Sequence, residues 1–183
     1  MSPYLSNHSR RGLPECNEID VLATHSNLTS APSDPVHLES ITNKLHSTGY
    51  ITHHLAVEPD QYHGILQLPN HIISNTHGQP SHRHLRIRLV AWNAFIFAQL
   101  HFTGPITFVR YLRERAARQG YQLSWDKLEK RTKTAVEVFG VDGLRFMDTD
   151  DHPEGQVIVL DSEEDVFRFL KMKYVHPNER NWY

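Results

Sequence analysis

Arg83-His-Leu-Arg-Ile-Arg-Leu-Val-Ala-Trp-Asn-Ala-Phe-Ile-Phe-Ala-Gln-Leu-His-Phe-Thr-Gly104 changes its periodicity twice within one stretch. Leu85, Ile87 and Leu89 alternate with His84, Arg86 and Arg88, the period-two pattern of a strand buried on one face. From Trp92 to Leu100 the chain is almost wholly apolar and has the length of a buried helix. Phe102-Thr103-Gly104-Pro105 stops that run, because Gly and Pro interrupt regular structure. Pro105 suits the first turn of a further helix, where a missing N–H sacrifices no hydrogen bond. The spacing predicts that helix over 105–119, with Ile106, Val109, Leu112 and Ala116 in one stripe and Arg110, Arg113 and Arg118 off it.

Toward the N-terminus, Gly12 and Pro14 mark a loop, and Ile19–Thr24 is rich in strand-forming residues. Glu18 and Asp20 lie two residues apart, so on a strand they project from one face, about 7 Å apart. Carboxylates so placed can share divalent cations for phosphoryl transfer. The same spacing is also met on the polar face of any strand beside a turn. After a loop over residues 25–36, Asp34 can cap a helix with Pro35 at its first position. Leu38, Ile41 and Leu45 then give helical spacing over Val36–Ser47, ended by Gly49. Strands are expected at Tyr50–Val57 and Tyr62–Leu68, with a polar loop from Pro69 to Ser81. The first hundred residues thus form a mixed lobe with a mostly antiparallel sheet. Farther on, Gln156–Leu160 is expected as a short strand, and Asp161 or Ser162 as the cap of an acidic-ended helix.

At 183 residues the chain suits one domain or two small lobes with a real core. No run reaches the roughly 18 apolar residues of a membrane span, and the first residues lack a signal-peptide core. A single cysteine, Cys16, rules out an internal disulfide and suits a reducing compartment. The net charge of −2 leaves no global nucleic-acid footprint. Basic charge is instead local: Arg110, Arg113, Arg115 and Arg118 stand against Glu114 alone, whereas residues 148–165 are acidic and carry no Lys or Arg. Fourteen histidines, among them the adjacent His53-His54 and the pair His82 and His84 on one strand face, raise the idea of a zinc protein. Their spacings match no zinc signature, and surface or hydrogen-bonded core histidines are expected.

Several segments carry a further signal by their order. They are Arg10-Arg11-Gly12, the strand bearing Glu18 and Asp20, the strand 83–90, the Phe102-Thr103-Gly104 turn with its basic helix, Gly120-Tyr-Gln-Leu-Ser-Trp-Asp-Lys-Leu128, Asp161-Ser-Glu-Glu-Asp-Val-Phe167 and the closing Tyr174–Trp182. Over about residues 10–183 this order resembles the family X DNA polymerases, the beta-like repair enzymes. The resemblance implies an α+β fold: a nucleotidyltransferase palm with a mixed, mostly antiparallel sheet over residues 1–104, then a small helix-rich thumb over 105–183. It implies gap-filling nucleotidyl transfer in DNA repair, with DNA and a dNTP as partners, Mg²⁺ or Mn²⁺ as cofactor, a nuclear location, no membrane and a monomer. Glu18 and Asp20 match metal ligands. Arg11, Asn17, His101, Phe102 and Gly104 match nucleotide-binding positions, and Arg110 and Arg113 match the DNA-facing side of the thumb helix.

The chain departs from the family's pattern at identifiable positions. The family places a third aspartate on the strand matching 83–90, where this chain has Arg86, and Glu18 stands where the first is expected. A permanent cation in place of a metal ligand predicts impaired turnover. A silent palm–thumb that binds DNA or nucleotide is the alternative. Arg86 is expected to pair with Glu18 or Asp20 as their counter-charge. Asn7-His8 replaces a Gly-Ser triphosphate contact, and Pro105 follows Gly104, whose peptide is expected to be cis. The match starts at the Arg-Arg-Gly loop, so a truncated form is expected, without the lyase and helix-hairpin-helix modules of larger members.

Overall fold

The computed structural model describes residues 12, 18–33, 35–67, 82–131 and 155–182. Strand β1 (Glu18–Ala23) is followed by helix α1 (Val36–Ser47), then β2 (Ile51–Val57), β3 (Gln61–Gln67) and β4 (His82–Leu89). The four strands form one sheet in the order β1-β4-β3-β2. β1 runs parallel to β4, while β4–β3 and β3–β2 are antiparallel, giving the expected mixed, mostly antiparallel sheet. The alternation in β4 holds: Leu85, Ile87 and Leu89 are buried. With Leu38, Ile51, Tyr62 and Leu66 they form one core, against which Ile19, Val21, Ile41 and Leu45 pack. The sheet therefore has a face covered by α1 and an open face. Glu18, Asp20, His84, Arg86 and Arg88 point to the open one by strand parity.

A short 3₁₀ turn (Trp92–Ala94) leads into α2 (Phe95–Thr103), which is apolar on all sides because two cores use it. Phe97 and Leu100 join Phe108, Leu112, Ala116, Leu128, Val166 and Phe167 in the second lobe. Phe95 and Ala98 instead pack with Val90, Leu22, Phe102 and Trp125 at the junction with the first lobe. Helix α3 (Ile106–Arg118), the hairpin β5 (Tyr121–Leu123) and β6 (Leu128–Lys130), α4 (Glu163–Phe169) and a closing 3₁₀ segment (Pro177–Trp182) complete the order. Ser162 caps α4, its Oγ accepting from Asp165 N at 3.1 Å. Within this lobe Arg180 is wholly buried, donating to Glu163 Oε2 at 2.8 Å and to Val175 O at 3.1 Å, with its guanidinium over Phe108 at 5.2 Å.

Four local expectations are corrected. The α3 stripe is Phe108, Val109, Leu112 and Ala116, while Ile106 is 80% exposed. The rotation follows from Phe108, whose larger ring wins the core position. Gln156–Leu160 contributes a single bridge, Val157 to Glu129, and no strand. No cis peptide occurs among the described residues, so Gly104–Pro105 is trans. Pro35 stands one residue before α1, its carbonyl accepting from Glu39 N at 2.8 Å, and Asp34 lies outside the described residues.

Candidate active site

Parallel pairing of β1 with β4 fixes the centre of the site. Its register sets Asp20 beside Arg86 and Glu18 beside His84. Leu85 and Ile87, buried on the opposite face with the partly buried Ile19 and Val21 packed against that core, lock the register, since a one-residue slip would turn the apolar set outward. Arg86 Nη2 donates to Glu18 Oε2 at 3.0 Å. Arg86 Nε lies 3.4 Å from Asp20 Oδ1, an ion-pair distance whose angle makes no hydrogen bond. One guanidinium thus answers both carboxylates.

A divalent cation does not fit this donor set. Mg²⁺ requires near-octahedral oxygen ligands at about 2.0–2.1 Å. Here two carboxylates face a fixed positive charge at the position nearest to both. Among the described residues no group of three or more His, Cys, Asp or Glu is disposed to hold a metal ion.

Two residues along β4, on the same face, Arg88 forms a second cluster. Its guanidinium lies over the Phe102 ring at 4.6 Å, and its Nη2 donates to Gln61 Oε1. Gln61 in turn bonds His63 through the two Nε2 atoms. His101 packs edge-on against Phe102, ring centroids 4.8 Å apart. Burial pushes the His101 imidazole below its ordinary pKa of 6.5, and the positive charges of Arg113 and Arg88 push it the same way. Arg88 on the open sheet face and Arg113 on α3 therefore both bring positive charge to bear on the end of α2.

Residues 6–93 match the DNA polymerase beta palm family and residues 98–181 the DNA polymerase beta thumb family. The chain is also 31% identical over 178 residues to DNA polymerase lambda of Rattus norvegicus, across 94% of this chain. The chain belongs to the family X DNA polymerases. It spans 27% of the length of that relative.

Against the family X pattern, the structure brings together Glu18, Asp20 and Arg86 in one group, and His101, Phe102 and Arg113 with Arg88 in another. Arg110 and Arg113 are exposed on α3. Gly104 packs against Phe108: a Cβ there would lie 2.5 Å from Phe108 Cδ1. Arg11 and Asn17 lie outside the described residues, as does Arg10. Gly12 is described, with φ +69°, the left-handed conformation that glycine adopts without strain. Arg88, Gln61 and His63 were not singled out from the sequence. The alternation His84, Arg86, Arg88 already put Arg88 on the open face, but nothing local signals which aromatic side chain it meets.

Proposed function

We propose that this family X palm–thumb binds gapped or primer–template DNA and dNTP, and that its gap-filling nucleotidyl transfer is impaired by Arg86. The observation that carries the reading is the single guanidinium shared by Glu18 and Asp20. Two like unit charges about 4 Å apart repel by about 4 kcal/mol at an effective dielectric of about 20, and a divalent ion doubles that. Arg86 is 42% exposed, so solvent screens part of the repulsion, yet the lost ligand is not replaced. In this reading residues 1–104 are the palm lobe and 105–183 the thumb lobe. Arg11 and Asn17 meet the triphosphate side of the nucleotide, His101, Phe102 and Gly104 its sugar side, and Arg110 and Arg113 the DNA. A nuclear repair role, supported by the likeness to DNA polymerase lambda, and a monomeric state belong to the same reading.

The test is single-nucleotide extension on a gapped duplex with Mg²⁺ or Mn²⁺, comparing the natural chain with Arg86→Asp. Extension by the natural chain is expected to be at least about 100-fold slower than by the variant, the scale on which misplaced catalytic groups act. DNA binding is expected to be detectable for both, and weaker at low salt for the variant. Equal rates from the two proteins would overturn the role given to Arg86.

A further inference from the structure

The face of the sheet covered by α1 carries a second group of chemically capable side chains, remote from Glu18 and Asp20. Gly64 on β3 pairs with His54 on β2. Having no side chain, Gly64 lets the ring of Tyr62 lie across it: a Cβ at 64 would stand 2.2 Å from Tyr62 Oη. The wholly buried Tyr62 thereby reaches His54, with Oη 3.0 Å from Nδ1 and the two rings edge-on. His54 lies in turn beside His46 from the last turn of α1, ring centroids 5.0 Å apart. Both histidines are exposed, on the rim where edge strand β2 meets the helix end.

We propose that His46 and His54 form a two-histidine site for a divalent transition metal of the zinc class. Three observations converge on it. First, imidazole nitrogens bind zinc at about 2.0–2.1 Å, placing the ion about 3.2 Å from each ring centroid; at a tetrahedral angle the centroids are then about 5.2 Å apart. The spacing of 5.0 Å admits two imidazoles on one ion. Secondly, in the tautomer whose Nδ1–H donates to Tyr62 Oη, His54 Nε2 carries the metal-binding lone pair. An outer hydrogen bond of this kind fixes ring and tautomer in histidine metal sites. Thirdly, His46 occupies the last turn of α1, where the helix dipole favours a cation. Water completes the coordination, because no third His, Cys, Asp or Glu joins the pair among the described residues. A bound ion would clasp the exposed edge strand to the end of α1.

Zinc titration of the full chain by calorimetry, followed by Co²⁺ absorption, tests the proposal. The variants are His46→Ala, His54→Ala, the double variant, Tyr62→Phe and, as control, the exposed His25→Ala. One site per chain is expected to weaken at least tenfold in either single variant, with no further loss in the double variant, since both ligands serve one ion. Tyr62→Phe is expected to weaken the same site about tenfold, the scale of a lost outer-shell partner. His25→Ala is expected to leave the isotherm unchanged, and the Co²⁺ d–d band to vanish with either ligand. Wild-type binding in both single variants overturns the proposal. Additive losses also overturn it, since they describe two independent surface histidines. Circular dichroism confirms that each variant is folded.

Discussion

Arg86 and Arg180 are both arginines paired with acids, and their surroundings give them different consequences. Arg86 is partly exposed, so its pairs add little to stability, about 0–1 kcal/mol for such bridges. On the proposed reading its effect is on which ions the open face accepts. Arg180 is wholly enclosed with Glu163, and removing one partner leaves a buried charge unanswered. Arg180→Ala is expected to destabilise the chain by about 3–5 kcal/mol, read as a lower urea midpoint. Arg180→Met with Glu163→Leu is expected to lose less, because no lone charge remains. His101 offers a pH test. Its folded pKa lies below 6.5, so just below pH 6.5 the unfolded chain binds a proton that the folded chain does not. Stability therefore rises with pH through that window and is lost on acidification, and His101→Asn is expected to flatten that part of the curve. Arg113→Ala removes one of the charges responsible, so an NMR titration of His101 in that variant is expected to give a higher pKa.

Helix α3 shows what periodicity can and cannot decide. The stripes Ile106-Val109-Leu112-Ala116 and Phe108-Val109-Leu112-Ala116 both have helical spacing, and only packing chooses between them. Phe108 is fully buried and Ile106 exposed, so Phe108→Ala is expected to cost about 3–5 kcal/mol. Ile106→Lys is expected to leave the melting temperature nearly unchanged. Gly104, between α2 and α3, is needed for a steric reason, since its φ of −90° is open to any residue. Gly104→Ala drives a methyl into the Phe108 ring and is expected to cost about 1–3 kcal/mol, measurable by thermal melts. Elements with one buried face were legible in the sequence: β4 from its strict alternation, and α1 from Leu38, Ile41 and Leu45. The pairing of Arg86 with the carboxylates was legible too, because strand parity and a missing counter-ion point to it. The buried Arg180–Glu163 pair was not, since nothing local distinguishes an enclosed arginine from a solvated one. Gln156–Leu160 has strand composition, yet only one residue of it finds a bridge.

On the scale of the molecule, charge is separated while the total stays near neutral, at −2. Arg88 and Arg113 both act on His101 at the end of α2, Arg110 is exposed on the same helix as Arg113, and Arg86 removes part of the negative field that Glu18 and Asp20 would add to the open face. On the proposed reading the chain holds DNA through a local patch, and its affinity then depends on salt through the few phosphates that patch neutralises. The slope of log K against log salt falls in magnitude by about 0.9 for each phosphate contact removed from duplex DNA. Fluorescence anisotropy on a gapped duplex across a KCl series is therefore expected to give shallower slopes for Arg110→Ala and Arg113→Ala. Arg168→Ala, on α4 and paired with Asp165, is expected to keep the wild-type slope. Arg86→Asp replaces a positive charge on the open face with a negative one. It is expected to weaken DNA binding at low salt even as it restores the carboxylate set, so binding and extension should move in opposite directions. If they rise together, Arg86 is no part of the electrostatic surface that DNA meets, and its influence is confined to the carboxylate pair.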